Sequence, residues 1–542
     1  MTVIEADVVI IGSGPAGVSA AWPLVEAGFS VVMLDAAEGP TPKPPAMDLA
    51  GFRRSGNGWR HAYGDDFSGL VLGRGRSPKF GTRIGRAVLG SDARHPMISA
   101  TGFLPLRSFS AGGLSKMWGA VASAYDDRDL RDYPIRRSDL DPSYRAIAAR
   151  IGLSGGDDDL IDFHGSGLPL QPPSWLTPIG ERLLDRYRRR KPLPGFLLGT
   201  ARNAIATETI ADRQACNKCG LCLYGCARGA IYDSTYDLAH LRRTPNFRYV
   251  SPALVTRLPA VDDPALTVEV AGSGLGAVAK GQVLVLAAGT LNTTALVLAR
   301  HGGAGTTLRL LTNPMAALAF LVPSRVGQPL PQTAFSLGQL SYRLEIDEQS
   351  DYATGILYTA DSLPLATLAK ELPVSRPTVL HLSAVMAPAL VLATFYLPGR
   401  FSQNAVTLGT GEDSRKELII EGGTPKDTHT MILKGTKQLA RAMRRLGAFT
   451  VPGSRSIPVP GTDAHLAATL PMKEHGGDLT CTPDCELRPW RNLFVVDGSC
   501  LPDLPAKHCT LTIMANADRV GRIVAKRLQR AASQFLGPAT MA

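Results

Sequence analysis

The sequence predicts an α/β chain, α+β overall, in two parts: a Rossmann-like nucleotide-binding domain and a second, discontinuous domain built on an antiparallel sheet. Three observations predict it. At 542 residues the chain is longer than one hydrophobic core supports, so two large domains or one interleaved pair are expected. Residues 7–36, DVVIIGSGPAGVSAAWPLVEAGFSVVMLDA, read as strand, glycine turn, helix and strand in that order. Farther on, 335-FSLGQLSYRLEI-346 and 404-NAVTLGT-410 alternate apolar and polar residues as antiparallel strands do.

The N-terminal unit is the most explicit. Val8 to Ile11 form a buried strand, and Val31 to Leu34 form a second. Between them Gly12 permits a tight turn, Gly14 lets the backbone approach a pyrophosphate, and Gly17 lets helix and strand pack closely. The phosphates would then lie on the positive end of the helix. Asp35, eighteen residues after Gly17 at the end of the second strand, is placed to accept hydrogen bonds from a ribose hydroxyl. FAD and NAD both present an ADP moiety to such a fingerprint, so the choice falls to the rest of the chain.

Composition bounds the remaining classes. Hydrophobic residues make up 44% and charged residues 19%, which is a folded chain and not a disordered one. The net charge of +11 comes from scattered residues apart from 186-RYRRRK-191, and no nucleic-acid reader motif accompanies them. That run reads as a solvated helix end, and nucleic acid is not an expected partner. The start MTVIEADVVIIGSG lacks a basic n-region and a small-residue cleavage site, so a cytoplasmic location is expected, with escort by a partner subunit as the alternative. Residues 378-TVLHLSAVMAPALVLATFYL-397 carry no Asp, Glu, Lys or Arg over the length of a membrane span. Pro388, His381 and the Ser and Thr residues favour a buried segment over membrane association.

Four of the eight cysteines, Cys216, Cys219, Cys222 and Cys226, fall at C-x2-C-x2-C-x3-C, the bacterial-ferredoxin run with Ala227 where proline is usual. Reduced cytosolic thiols at this density read as an iron-sulfur cluster, a zinc site, or packed and redox-reactive thiols.

Further stretches resemble the glucose-methanol-choline (GMC) family of flavoprotein oxidoreductases. In 107-RSFSAGGLSKMWGAVAS-123, Gly112, Gly113 and Trp118 look like the second glycine-rich FAD loop, and 283-VLVLAAGTLNTTALVLARHG-302 is similar to the element that returns the chain to the nucleotide-binding sheet. The segment 465-HLAATLPM-472 resembles H-x-x-G-T-x-x-M with Ala468 at the glycine, and 492–524 contains Asp497-Gly498, His508 and Thr510 at family positions. The resemblance implies bound FAD, contacts to it from Asp497, Gly498 and Thr510, and a histidine pair. His465 is expected as the base and His508 as its partner, with the roles exchangeable. An imidazole suits the task because it takes a proton near neutral pH with little tuning.

The resemblance extends to bacterial sugar dehydrogenases with cysteines at C-x5-C-x3-C, a spacing shared by Cys216, Cys222 and Cys226; it implies a three-iron cluster, a four-iron cluster being the other form weighed. Expected boundaries are 1–140, 200–310 and 455–530 for the FAD-binding domain, 141–199 and 311–454 for the substrate-binding domain, 216–226 for the cysteine-rich segment and 531–542 for a frayed tail. The implied activity is oxidation of a CH-OH group of an alcohol, polyol or sugar, with electrons passed to an external acceptor such as an electron-accepting subunit or cytochrome. The rivals are an oxidase using dioxygen and a protein that keeps FAD for binding or assembly alone.

Overall fold

The computed structural model describes residues 2–44, 47–54, 77–90, 97–190, 194–272, 277–303, 305–346, 352–362, 376–410 and 416–535. The strand Thr2–Ile11 is fully apolar over Val8 to Ile11 and is buried there. It pairs in parallel with Val31–Leu34 on one side and Ala277–Leu286 on the other. Phe247–Val250 and Leu493–Val495 extend this parallel sheet, while Leu254–Arg257 and Val268–Ala271 add an antiparallel edge. The helix Pro15–Glu26 lies against the C-terminal helix Thr510–Phe535 so closely that a Cβ at Gly521 would sit 2.4 Å from the Ala20 carbonyl oxygen.

A second sheet of six antiparallel strands runs in the order Phe449–Thr450, Met315–Leu321, Leu390–Tyr396, Tyr352–Thr359, Leu340–Glu345, Phe196–Thr200. Its period-2 alternation gives it two different faces. Ala316, Leu318 and Phe320 point into a core shared with the helices Pro178–Arg189 and Lys426–Arg445, through Leu183, Leu439 and Met443. Met315, Ala317 and Ala319, on the other face, remain half-buried and line a large cavity.

Several expectations change. The strand Asn404–Thr410 forms at its expected place, but it joins Met97–Thr101, Lys416–Glu421 and Thr307–Leu310 in a separate four-stranded sheet. That sheet packs Val406, Leu418 and Ile420 on Leu291, Ala295 and Leu298 of the helix Thr290–His301. The helix Arg137–Ile151 crosses the expected boundary at 140 and packs on the parallel-sheet side, where Ser143 donates to Asp518 at 2.7 Å and Tyr144 meets Thr512 at 2.7 Å. The apolar run 378–397 divides into the end of the helix Arg376–Met386, a short turn and the strand Leu390–Tyr396. Pro388 sits in that turn; among the described residues no helix is long and apolar enough to cross a membrane. The tail is helical through Phe535, and 536–542 lie outside the described residues. Arg186, in the basic run, donates at 2.8 Å to the Leu446 carbonyl, and Arg190 donates to that of Arg445, where a cation meets the negative end of the helix Lys426–Arg445.

Candidate active site

A cavity of about 1180 Å³ lies between the carboxyl ends of the parallel strands and the open face of the six-stranded sheet. Ligands of doubly wound sheets bind at that end of the strands. The volume exceeds the usual range of about 300–1,000 Å³ for one small ligand. It suits a dinucleotide with substrate beside it.

The glycine turn is built as its spacing predicts. Gly12 has φ +102°, and a Cβ there would lie 2.5 Å from the Ala287 carbonyl oxygen. A Cβ on Gly17 would lie 1.9 Å from the Gly12 carbonyl oxygen, so this helix turn admits no side chain. Gly14 differs: its φ of −63° is ordinary, and nothing stands within 4 Å of where its Cβ would be. That open space adjoins the start of the helix Pro15–Glu26, which has no side-chain cap, leaving backbone N–H groups for a phosphate. The Asp35 carboxylate accepts from the backbone N–H groups of Ser13 and Ala37, both at 2.9 Å, and lines the cavity. Burial raises its pKa. The donor set and the open space at Gly14 fit the ADP portion of FAD.

The second glycine loop closes over the first. Gly112 and Gly113 have φ of +83° and +56°; Gly112 donates its N–H to the Ser13 hydroxyl at 3.0 Å, and a Cβ on Gly113 would come within 3.6 Å of Gly14. Trp118 is fixed by its indole N–H on the Tyr232 carbonyl at 2.7 Å, and its own carbonyl accepts from buried Lys79 at 2.5 Å. Burial lowers the Lys79 ammonium to about 8.

Asp497 lines the same cavity, but its carboxylate is occupied by the protein. It accepts from the Gly289 N–H at 2.9 Å, the Thr293 hydroxyl at 2.5 Å, the Ser499 N–H at 3.0 Å and the Ser499 hydroxyl. These bonds join the turn after Leu493–Val495 to the start of the helix Thr290–His301. A Cβ on Gly498 would lie 2.3 Å from the Leu466 carbonyl oxygen, so this turn is packed directly against the segment carrying His465. Thr510 opens the C-terminal helix at the cavity wall.

Forty-three positions apart in sequence, His465 and His508 meet in the cavity with ring centroids 5.1 Å apart and planes at 84°. Tyr396 completes a triangle at 5.8 and 5.6 Å from the two rings. Burial lowers His465 to about 4, and burial together with the neighbouring His465 lowers His508 to about 3. Both are neutral at physiological pH and able to accept a proton. His465 Nδ1 lies 2.9 Å from Asn313 Oδ1. Asp463, raised to about 7 by burial, has Oδ2 3.7 Å from the same nitrogen.

His508 is held by the residue before it. Lys507, wholly buried, pairs with Asp129 at 2.5 Å and Asp126 at 3.0 Å, so a cation and two carboxylates anchor the turn. Breaking such a pair strands a buried charge. Lys507→Met is therefore expected to lower stability by about 3–5 kcal/mol, measured by urea unfolding, and Asp129→Asn in the same chain should recover part of the loss.

The metal assignment gains no support. Cys216, Cys222 and Cys226 pack with Ala206, Phe335 and Leu337, whereas Cys219 packs with Leu49, Phe52 and Tyr224. Left-handed residues at Lys218, Gly220 and Gly225 turn the chain between them. Among the described residues no group of three or more Cys, His, Asp or Glu side chains is arranged to hold a metal ion. Burial pushes the Cys216 thiol up to about 11 and Cys222 to about 12, as for thiols packed like small hydrophobes. An iron-sulfur cluster is therefore not supported at these four side chains.

Asn313, Asp463 and Tyr396 carry no motif, and periodicity does not single them out. Only the return of three distant segments to one point makes them neighbours of His465.

The chain is similar to several known proteins. Residues 401–517 match the family described as GMC oxidoreductase, and residues 5–50 match an FAD binding domain. The chain is 24% identical to paromamine 6'-oxidase of Streptomyces fradiae, over 96% of this chain and 91% of that protein. It is also 24% identical to an uncharacterized GMC-type oxidoreductase of Sinorhizobium fredii, covering 98% and 97% of the two chains. The fold is similar to that of pyridoxine 4-oxidase from Mesorbium loti, with a TM-score of 0.62 at 16% identity over 95% of this chain and 98% of that one. Formate oxidase superposes with a TM-score of 0.63 at 13% identity, covering 98% and 100%.

Proposed function

We propose that this chain, whose residues 401–517 match GMC oxidoreductase and residues 5–50 an FAD binding domain, is an FAD-dependent enzyme of that family that oxidises a small alcohol, polyol or sugar with His465 as the base. The single observation that carries the reading is the pair of neutral imidazoles, 5.1 Å apart, in the cavity that also holds the glycine cradle. Bound FAD supplies the acceptor for the hydride leaving carbon. The chain's part is to place the hydroxyl and remove its proton. His465 takes that proton, and His508 hydrogen-bonds the same oxygen, so the charge developing there is shared. Gly12, Gly14, Gly17 and Asp35 would hold the ADP portion, with Gly112, Gly113, Trp118, Gly498 and Thr510 around the remainder. The sheet face bearing Met315, Ala317, Leu392 and Tyr358 covers the substrate and limits water.

Electrons pass to an external acceptor. A second reading, dioxygen as that acceptor, is favoured by relatives named as oxidases: paromamine 6'-oxidase, pyridoxine 4-oxidase and formate oxidase. Anaerobic mixing of the holoprotein with a panel of alcohols, polyols and sugars tests the main reading, because turnover bleaches the flavin band. Readmitting air then separates the acceptors, since an oxidase releases peroxide in step with substrate. A flavin that no member of the panel bleaches would favour the FAD-holding binding protein.

The pH dependence follows from burial. An imidazole titrating at its ordinary value of about 6.5 would lose about thirtyfold of its base form between neutral pH and pH 5. His465, held near 4, keeps it. The limiting rate of flavin reduction is expected to fall far less than thirtyfold over that interval, with the steep acid limb below pH 5. Because Asp463 beside the ring titrates at about 7, the contradicting result is an inflection at 6.5 that persists in Asp463→Asn.

A further inference from the structure

We infer that Asn313 is a positioning residue that locks His465 in the tautomer carrying the proton on Nδ1, which leaves Nε2 as the basic nitrogen. The inference rests on the reading of His465 as the base and deepens it.

The orientation of the Asn313 amide is set by what surrounds it. Its Nδ2 group lies 2.8 Å from the Leu397 carbonyl oxygen, 3.0 Å from that of Pro505 and 3.5 Å from that of Leu504. All three are acceptors, so only the NH2 end of the amide can face them. The opposite end, Oδ1, faces His465 Nδ1 at 2.9 Å. A carbonyl oxygen accepts and cannot donate, so Nδ1 must be the donor. A neutral imidazole with its proton on Nδ1 has its lone pair on Nε2. The side chain is 1% exposed, and water cannot substitute for these partners freely.

The same residue ties together the segments that form the site. Its backbone N–H donates to Asp463 Oδ2 at 2.8 Å, two residues before His465. Its amide holds the carbonyls of Leu504 and Pro505, a few residues before His508. When the substrate O–H breaks and the proton forms an N–H bond at Nε2, the Nδ1–H bond to Asn313 is already made, and no ring flip or tautomer exchange is needed. The resulting imidazolium lies beside the Asp463 carboxyl, whose Oδ2 is 3.7 Å from Nδ1. Asp463, His508 and Tyr396 are the titratable groups facing the ring.

The experiment uses holoprotein carrying 15N-labelled histidine, with His465→Ala to assign its signal. In the unaltered protein at neutral pH, His465 is expected to show a pyrrole-like Nδ1 and a pyridine-like Nε2. In Asn313→Leu that pattern should give way to a tautomer mixture. The limiting rate of flavin reduction should fall about a hundredfold, with the substrate Kd changed by less than about twofold. A pyridine-like Nδ1 in the unaltered protein overturns the inference, as does an Asn313→Leu protein with full FAD and an unchanged rate. If Asn313→Leu loses FAD, the spectrum of the unaltered protein decides by itself. His465→Ala that still reduces its flavin at the normal rate would instead remove the base assignment, and that outcome is distinct from either result at Asn313.

Discussion

His465→Ala is expected to lower the limiting rate of flavin reduction about a hundred- to ten-thousandfold while FAD content stays unchanged. The range is what a positioned general base contributes. His465 is favoured over His508 because its ring is oriented by a hydrogen bond at 2.9 Å and has a carboxyl 3.7 Å away to stabilise the imidazolium. His508→Ala should therefore cost less than His465→Ala, and the double variant should cost less than the product of the two, since both act on one oxygen. Stopped-flow mixing with a saturating alcohol reads all three. A larger loss at His508 would exchange the roles, and no loss at either would remove the histidine mechanism altogether.

Gly14→Val is expected to produce a folded protein without flavin. Its φ of −63° is open to any residue, and no atom lies within 4 Å of the added Cβ, so the chain itself has no reason to reject the side chain. The space it enters is where a pyrophosphate would meet the start of the helix Pro15–Glu26. FAD content should fall from about one per chain to under about a tenth, with the far-ultraviolet circular dichroism of the apoprotein preserved. Gly17→Val provides the contrast. Its Cβ would fall 1.9 Å from a backbone oxygen, so that variant should lose the fold together with the cofactor. A yellow Gly14→Val protein would mean that the phosphates lie elsewhere.

The unit from Val8 to Asp35 is legible in the residues alone because its signals are local. A strand, a glycine turn and a helix each declare themselves within a few residues, and their order leaves one arrangement. The histidine pair is legible for another reason: His465 and His508 stand at positions carried by a resemblance, and the fold brings their rings to 5.1 Å. Asp497 lies at the site, as the resemblance implies, but its carboxylate serves the turns and the helix start around it, and sequence offers no means of counting its four donors. Residues 404–410 read as a strand and form one, yet the sheet they join depends on partners near residues 308 and 419.

What the sequence by itself determined was what short-range pattern encodes: the nucleotide-binding unit and the alternating strands. What only the tertiary structure decided was which distant side chains share a point in space. Four cysteines in eleven residues look like one ligand set, yet among the described residues no group of three or more such side chains is arranged to hold a metal ion. Asn313, with no motif around it, comes to lie against His465 because segments from residues 397, 463 and 505 converge there. The physical reason is the same in both cases: spacing along the chain limits reach, whereas the direction of a side chain is set by long-range packing and by the hydrogen bonds that buried polar groups must find.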